Sequence, residues 1–336
     1  MKHFFKAMSV AVAVLMGVAM VGQTADAQCK EKHDKKIVVG FSQIGAESAW
    51  RAANTESIQK EAEKRKDCIE LKFSDAQQKQ ENQIKAIRSF IAQGVDVIAF
   101  SPVVESGWEP VLKEAKDAGI PVILSDRAVD VSDDTLWVTF MGSDFVEEGR
   151  RTAQWLVDNY EKVKRADKTM DKVRIVELQG TVGSAPANDR FAGFREVLKD
   201  HPNFEIVKTQ SADFTRAGGK QVMEAFLKAE GGDKIDVVYG HNDDSALGAI
   251  QAIEEAGLKP GKDIIIVSID AVRGAFEAMI EGKLNATIEC SPLLGPQLFD
   301  AVEDLALGKE LPKRIVTEEG VFPAEVAKEV LPQRTY

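Results

Sequence analysis

Side chains that suit recognition of a hydroxyl-bearing ligand recur where predicted β-strands end. Carboxylates accept hydrogen bonds from neighbouring hydroxyl groups, a guanidinium donates through a planar fork, and an amide both donates and accepts. An indole ring adds a flat apolar face for the C–H side of a sugar ring. These types occur at Glu47, Ser48, Trp50, Arg51, Asp75, Gln77, Gln78, Asp126, Arg127, Ser184, Asn188, Asp189, Arg190, Asn242, Asp243 and Asp270. Their combination predicts a site for a sugar-like molecule.

Each of these residues also has a structural explanation that needs no ligand. Asp126 and Arg127 could form an ion pair at a strand end, and Asn242 and Asp270 could cap the helices that follow them. Trp50 could fill the hydrophobic core, and the remaining charged residues could lie on solvated helix faces. Only the coincidence of all of them at strand ends favours a shared site.

Patterns of other chemistries are weak in this sequence. His241 lies near carboxylates in a metal-like arrangement, but helix capping explains those carboxylates better, so no metal is predicted. The glycine segment 180–183 lacks the Lys-Ser/Thr ending of a phosphate loop. Carboxylates such as Glu47, Asp126 and Asp270 could converge to hydrolyse a glycoside, and this alternative stays open. We predict no catalytic residue and no cofactor.

Ten short β-branched runs alternate with amphipathic stretches and must position these side chains. The runs are 37–42, 69–74, 95–101, 122–126, 136–140, 174–179, 204–210, 237–241, 264–269 and 286–290. This alternation predicts an α/β protein with parallel sheets covered on both faces. Ligands bind beyond the carboxyl ends of such strands. The strand number favours two sheets of about five strands each, with a break near 141–144.

Composition and the first residues restrict the cellular setting. The 336 residues carry a formal net charge of −11, which argues against nucleic acid and anionic membrane surfaces as partners. Residues 1–27 combine a lysine-bearing start, an apolar run at 10–21 and a small-x-small ending, as a cleaved signal peptide does. A membrane anchor and, because Cys29 is near, a lipoprotein are the alternatives. We predict export to the periplasm.

The three cysteines have different expected roles. Cys29 precedes the first predicted strand and Cys68 precedes the second. If these strands are neighbours, both cysteines lie at the same end of the sheet, so a disulfide is feasible in an oxidising compartment. Cys290 falls in a strand-like run and is expected to be a buried free thiol.

Long segments resemble the periplasmic sugar-binding proteins of ABC transporters, and among them the galactofuranose-binding group. The segments are 39–51 (VGFSQIGAESAWR), 75–90, 101–116, 176–183, 213–216, 241–244, 257–263 and 268–270. The resemblance implies the type I fold, in which two Rossmann-like lobes with parallel sheets are joined by a three-crossing hinge. It implies an N-terminal lobe of 28–141 plus 271–290 and a C-terminal lobe of 142–270 plus 291–336.

The resemblance also implies which residues contact the ligand. In that family, contacts come from the segment after the first strand, an Asp-Arg pair after the fourth, a helix arginine, an asparagine and a last aspartate. The matching positions here are Glu47, Ser48, Ala49, Trp50, Arg51, Asp126, Arg127, Arg190, Asn242 and Asp270. Ala49 stands where the family has glycine, which adds a methyl group at the expected pocket wall. Galactofuranose and related furanoses or pentoses therefore stay open as the sugar.

The implied function is that of a solute-binding component that captures a monosaccharide by lobe closure and is not an enzyme. Its implied partners are the permease subunits of an ABC transporter and a chemoreceptor, and the implied state is a monomer. A sensor that feeds a membrane receptor or kinase is the alternative. A repressor core of the same fold is disfavoured, because the sequence has an export signal and no helix-turn-helix.

Overall fold

The computed structural model describes residues 35–336, so the predicted signal peptide and Cys29 lie outside the described residues. Strands and helices alternate along these residues, as predicted. Runs rich in Val and Ile form the strands, because β-branched side chains pack well on a pleated surface. The strands assemble into two sheets of six, and each sheet is the centre of one lobe.

The first lobe is built on the amino-terminal strands. They are β1 (Ile37–Gln43), β2 (Ile69–Asp75), β3 (Val97–Phe100), β4 (Val122–Ser125) and β5 (Thr139–Gly142), together with the late strand β11 (Arg314–Val316). The order across the sheet is β11-β5-β4-β3-β1-β2, and every neighbouring pair is parallel. The adjacency of β1 and β2 meets the condition set for the predicted disulfide.

The second lobe repeats this plan with later strands. They are β6 (Val173–Gln179), β7 (Phe204–Ser211), β8 (Val237–Gly240), β9 (Ile265–Asp270), β10 (Ala286–Glu289) and β12 (Val321–Pro323). The order is β12-β10-β9-β8-β6-β7, with β12 antiparallel to β10 and the other pairs parallel. The sequence analysis missed β11 and β12, because three residues are too few to show a period.

Helices cover both faces of each sheet. Those of the first lobe are α1 (Ala49–Lys64), α2 (Gln80–Gln93), α3 (Glu109–Asp117) and α9 (Gly295–Ala306). Those of the second lobe are α4 (Phe145–Val163), α5 (Ala185–Leu198), α6 (Arg216–Glu230), α7 (Asp243–Glu255), α8 (Arg273–Ile280) and the short α10 (Ala327–Val330). Ser48, Asp144, Thr215 and Asn242 cap α1, α4, α6 and α7 by accepting a backbone N–H.

The chain passes between the lobes three times, at 143–144, 290–294 and 317–320, and we call these three segments the hinge. This confirms the predicted three-crossing fold. The predicted lobe boundaries are wrong in two places. Segment 271–290 belongs to the second lobe, because β10 pairs with β9 there. Segment 291–336 is divided, because α9 packs against α1 and β11 pairs with β5 in the first lobe.

Two glycines bring α4 and α5 into close contact in the second lobe. A Cβ at Gly149 would stand 2.5 Å from the Arg190 carbonyl oxygen, and one at Gly193 would stand 2.0 Å from that of Val146. Real Cβ atoms do not approach other atoms so closely, so these positions require glycine. The close approach sets the position of Arg190 relative to α4, which matters for the site described below.

The cysteines agree with the sequence expectations as far as the structure describes them. Cys68 is disulfide-bonded, and Cys29, its predicted partner, lies outside the described residues. Cys290 is a buried free thiol, as predicted. Within residues 35–336, none of the helices combines the length and apolar character needed to cross a bilayer.

Candidate functional site

A cavity lies between the two lobes, beyond the carboxyl ends of the strands. Its lining residues are Glu47, Ser48, Trp50, Arg51, Asp126, Arg127, Phe145, Pro186, Arg190, Phe214, Asn242, Asp270 and Cys290. Nine of the ten predicted contact residues are in this set. Ala49 lies beside the cavity without lining it, and its N–H donates across the cleft to Asp244 Oδ2 at 2.6 Å. The expected methyl group at the pocket wall is therefore not found.

Arg51 organises the wall that the first lobe contributes. Its Nη2 donates to Asp126 Oδ2 at 2.6 Å and its Nε donates to Glu47 Oε1 at 3.0 Å, with all three side chains buried. Burial alone would lower the pKa of the Arg51 guanidinium, but Asp126 and Glu47 outweigh it and raise this pKa. Arg51 therefore keeps its charge and holds both carboxylates at the cavity.

Arg127 is the less well compensated cation of the same wall. Its Nη1 donates to the Val103 carbonyl at 3.1 Å. Its Nε and Glu47 Oε2 are buried without a hydrogen-bond partner in the described part of the chain. Burial and the nearby Arg51 charge lower the pKa of Arg127 to about 10. Buried polar atoms of this kind favour a ligand that brings its own donors and acceptors.

Arg190 organises the wall of the second lobe. Its Nε donates to Glu148 Oε2 at 2.7 Å and its Nη1 donates to the His241 carbonyl at 2.7 Å. Its Nη2 stands 3.7 Å from Asp270 Oδ1. Burial opposes its charge, but Glu148 and Asp270 raise the pKa of Arg190. Burial raises the pKa of Asp270, although Arg190 acts against this.

Three lining residues have left-handed backbone conformations that side chains usually avoid. The φ angle is 70° at Asp126, 126° at Asp270 and 59° at Phe214. Such conformations cost on the order of 1–3 kcal/mol each and persist only where the surroundings enforce them. At Asp126, the N–H donates to the Met141 carbonyl at 2.8 Å, which helps to hold the turn. The strained residues come from both lobes and meet at one cavity.

Three of the structural alternatives are correct alongside the cavity position. Asp126 and Arg127 form an ion pair, with Asp126 Oδ2 3.9 Å from Arg127 Nε. Asn242 lines the cavity and also caps α7, since its Oδ1 accepts from the Ser245 N–H at 3.1 Å. Trp50 lines the cavity and also packs into the second lobe's core, with 4% of its surface exposed. Its indole N–H donates to the Cys290 carbonyl at 2.6 Å, and the Arg51 guanidinium lies 4.6 Å from its ring centre.

Four lining residues were not among the predicted contacts: Phe145, Pro186, Phe214 and Cys290. Phe214 follows β7, so an inspection of that strand end would have found it. Phe145 begins α4 directly after the first crossing and Cys290 begins the second. Neither position shows a pattern in the sequence, because only the return of the chain between lobes brings them to the cavity.

The lobes contact each other around the mouth of the cavity. The Glu105 N–H donates to the Gly183 carbonyl at 2.9 Å, and Asn188 Nδ2 donates to Glu105 Oε2 at 2.5 Å. On the other side, Ala49 and Asp244 make the bond described above. The structure is therefore a closed form in which the cavity is sealed between the lobes.

One group of described residues combines side-chain types that can bind metals. Ligand atoms of Glu148, Cys290 and Glu319 lie within 4.8 Å of one another. Glu148 Oε2 already accepts from Arg190, and Glu319 Oε1 accepts from the Ser143 hydroxyl and the Ser291 N–H. The group is a hydrogen-bonded network at the hinge, and we assign no metal to it.

Comparison with known proteins agrees with this architecture. Residues 39–310 match the model of the periplasmic binding protein domain. The chain belongs to this family. A member from Escherichia coli K12, a galactofuranose-binding protein, is 50% identical over 300 residues, which are 89% of this chain and 91% of the relative.

Solved structures of similar proteins have the same fold. The binding component of an arabinose ABC transporter from Shewanella sp. ANA-3, bound to α- and β-L-arabinofuranose, is 53% identical. It matches with a TM-score of 0.83 over 89% of this chain and 95% of its own. A protein from Mycobacterium smegmatis in complex with β-D-fucofuranose is 54% identical and matches with a TM-score of 0.84 over the same shares, 89% and 95%.

Proposed function

We propose that this protein captures a monosaccharide in its five-membered-ring form in the periplasm and delivers it to the membrane subunits of an ABC transporter. The observation that carries the proposal is the sealed cavity, to which both lobes contribute arginines and carboxylates beside one tryptophan. The relatives named above bind galactofuranose, arabinofuranose or fucofuranose, and this supports a furanose here.

The chemistry of the cavity suits a small polyhydroxylated ring. Glu47 Oε2 can accept a hydrogen bond from a hydroxyl group, and Arg127 Nε can donate one to a hydroxyl oxygen. Neither atom has a hydrogen-bond partner among residues 35–336. Trp50 and Phe214 add apolar surface for ring C–H groups. A monosaccharide brings the hydroxyl groups that these polar atoms need and the ring C–H groups that suit the apolar surface.

Capture would work by closure of the hinge. In an open form, water solvates the charged groups of each lobe separately. A bound sugar bridges the lobes, so it has a higher affinity for the closed form and shifts the equilibrium towards it. We place the permease on the closed face, where residues of both lobes meet. The protein would act as a monomer, and a chemoreceptor is a further partner for the same face.

We propose binding without turnover. Glycoside hydrolysis needs one free carboxylate and one carboxylic acid on opposite sides of the scissile bond. Here Asp126 and Glu47 are both held by Arg51, at 2.6 and 3.0 Å, and this pairing weakens each as a nucleophile. An assay with aryl furanosides should therefore show no release of the aryl group.

The test is a binding screen of residues 28–336 against galactose, arabinose, fucose, ribose, xylose and glucose, by thermal shift and then by calorimetry. Galactose, arabinose or fucose should raise the unfolding temperature and saturate one site, since ligand at about 1,000 times Kd adds about 4 kcal/mol. Arg51→Met should abolish the shift, whereas Arg88→Met, at an exposed arginine, should leave it unchanged. Absence of a shift with every sugar would reject the proposal.

A further inference from the structure

The three crossings of the hinge meet at one carboxyl group. Glu319 lies in the third crossing, and its Oε1 accepts from the Ser143 hydroxyl of the first crossing at 2.5 Å. The same oxygen accepts from the Ser291 N–H of the second crossing at 2.8 Å. These two hydrogen bonds join the three crossings of the hinge at Glu319.

Glu319 also borders the group that holds the cavity arginine. Ligand atoms of Glu319, Cys290 and Glu148 lie within 4.8 Å of one another. Glu148 uses its Oε2 for Arg190 at 2.7 Å, whereas its Oε1 is buried with no hydrogen-bond partner in the described residues. Glu148 is 2% exposed, so this oxygen is shielded from bulk solvent in the closed form. A second negative charge beside it would repel the Glu148 carboxylate and favour its protonated form, which holds Arg190 less strongly.

We propose that Glu319 is a positioning residue that carries a proton when the lobes are closed, and that this proton couples the hinge to Arg190 through Glu148. In the closed form the neutral acid leaves the Glu148 charge free for Arg190. When the lobes open, water reaches the carboxyl group and the proton leaves to solvent. Closure around the sugar therefore takes up one proton at Glu319. The inference rests on the sugar-binding function proposed above.

The electrostatics of the site agree with this coupling. Burial and the Glu148 charge raise the pKa of Glu319 to about 9, although Ser143 and the Ser291 N–H act in the opposite direction. An acid whose pKa is raised in one state stabilises that state fully at low pH, and the contribution is lost as the pH rises towards the raised pKa. Sugar affinity should therefore fall between about pH 5 and pH 9.

Other groups near Glu319 could also titrate and must be separated from it. The charged and titratable groups around it are Glu148, Arg151, Arg190, Cys290 and Arg314, with Asp270 beyond Cys290. Asp243, in the same lobe, has its pKa raised by burial to about 7. Burial also raises the pKa of Glu148. The other groups are shared by the wild type and a Glu319 variant, so the difference between their pH profiles reports Glu319 together with its effect on Glu148.

The experiment is calorimetric titration of a sugar that binds the wild type, galactose or arabinose, across that pH range in buffers of different ionisation enthalpy. Glu319→Gln stays neutral at every pH and should bind at least as well as the wild type at neutral pH. Wild-type uptake should exceed that of Glu319→Gln by between about 0.5 and 1 proton per site at neutral pH. The matched control is Glu318→Gln, the same charge change at the exposed neighbouring residue, which should behave as the wild type.

A second variant keeps the inference testable if Glu319→Gln does not fold. Ser143→Ala removes a hydrogen bond that lowers the pKa of Glu319, so the loss of affinity should move to higher pH. Equal proton uptake by the wild type and Glu319→Gln, or an unmoved profile in Ser143→Ala, would overturn the inference. If the wild type binds no sugar at any pH, the proposed function fails instead, and the two failures are distinguishable.

Discussion

Replacing Asp126 by asparagine tests how the charged wall of the first lobe works. The Asp126 carboxylate accepts from Arg51 Nη2 at 2.6 Å and lies 3.9 Å from Arg127 Nε, and all three side chains are at most 4% exposed. Asparagine keeps the size but removes the charge, so Glu47 alone would face two buried guanidinium groups. In an open form water solvates these groups, whereas the closed form seals them. The substitution should therefore make closure less favourable and lower the affinity for sugar.

The size of the effect follows from the pairing. Removing one partner of a buried ion pair costs about 3–5 kcal/mol. Because Glu47 still accepts from Arg51 at 3.0 Å, we take a smaller value of about 2 kcal/mol, which weakens Kd by roughly 30-fold. Asp126 also lines the cavity, so a lost hydrogen bond to a sugar hydroxyl acts in the same direction. Thermal unfolding without sugar should show a smaller loss.

Calorimetry with the sugar that binds the wild type measures this change. The control is Asp130→Asn, the same substitution at an exposed position in the loop that follows, which should leave Kd unchanged. If Asp126→Asn binds within twofold of Asp130→Asn while remaining folded, the Arg51–Asp126 pair does not contribute to closure, and the reasoning above is refuted.

Four further substitutions, at three positions, separate closure, ligand contact and packing. Ala49→Pro removes the N–H that donates across the cleft to Asp244, although proline suits the first position of a helix. The Kd for the sugar should therefore weaken by about tenfold through faster dissociation, while the free energy of unfolding stays unchanged. A normal dissociation rate in stopped-flow fluorescence would contradict this. Burial raises the pKa of Asp270 and favours its neutral acid, so Asp270→Asn should bind the sugar nearly as the wild type does. Asp270→Ala should lose about 2 kcal/mol of affinity in calorimetry. Equal losses in the two variants would show that the charged form is the one used. Gly193→Ala should lower the free energy of unfolding by about 1–3 kcal/mol in thermal denaturation, because its Cβ would stand 2.0 Å from the Val146 carbonyl oxygen. An unchanged unfolding temperature would mean that α4 and α5 can separate freely.

Strand ends made most of the site predictable from sequence. Asp126, Asn242 and Asp270 directly follow or end strands whose β-branched runs are easy to recognise, and parallel topology brings their carboxyl ends to one edge. Phe145 and Cys290 were not predictable in this way, because they lie where the chain crosses between lobes. Their position at the cavity depends on how the chain passes between the lobes, and no local sequence pattern shows this.

The same limit explains the wrong lobe boundaries. Segment 286–289 is a strand by its composition, but its composition does not say which sheet it joins. Its parallel pairing with β9 decides that, and the three-residue strands β11 and β12 then complete the two edges. Helix α9 returns to the first lobe because Gly295 allows close contact with Ser57 on α1, where a Cβ would stand 2.2 Å from the Ser57 carbonyl oxygen.

The start of α1 shows why closure and binding cannot be separated in this protein. Successive helical residues point about 100° apart, so four neighbours face four directions. Ser48 caps the helix, the Ala49 N–H reaches the opposite lobe, the Trp50 indole donates to the second crossing, and Arg51 holds the cavity carboxylates. A rotation of the lobes that breaks the Ala49 contact must also move Trp50 against the hinge. If a sugar contacts Arg51 and Trp50 as proposed, it stabilises the interlobe contact of Ala49 without touching it.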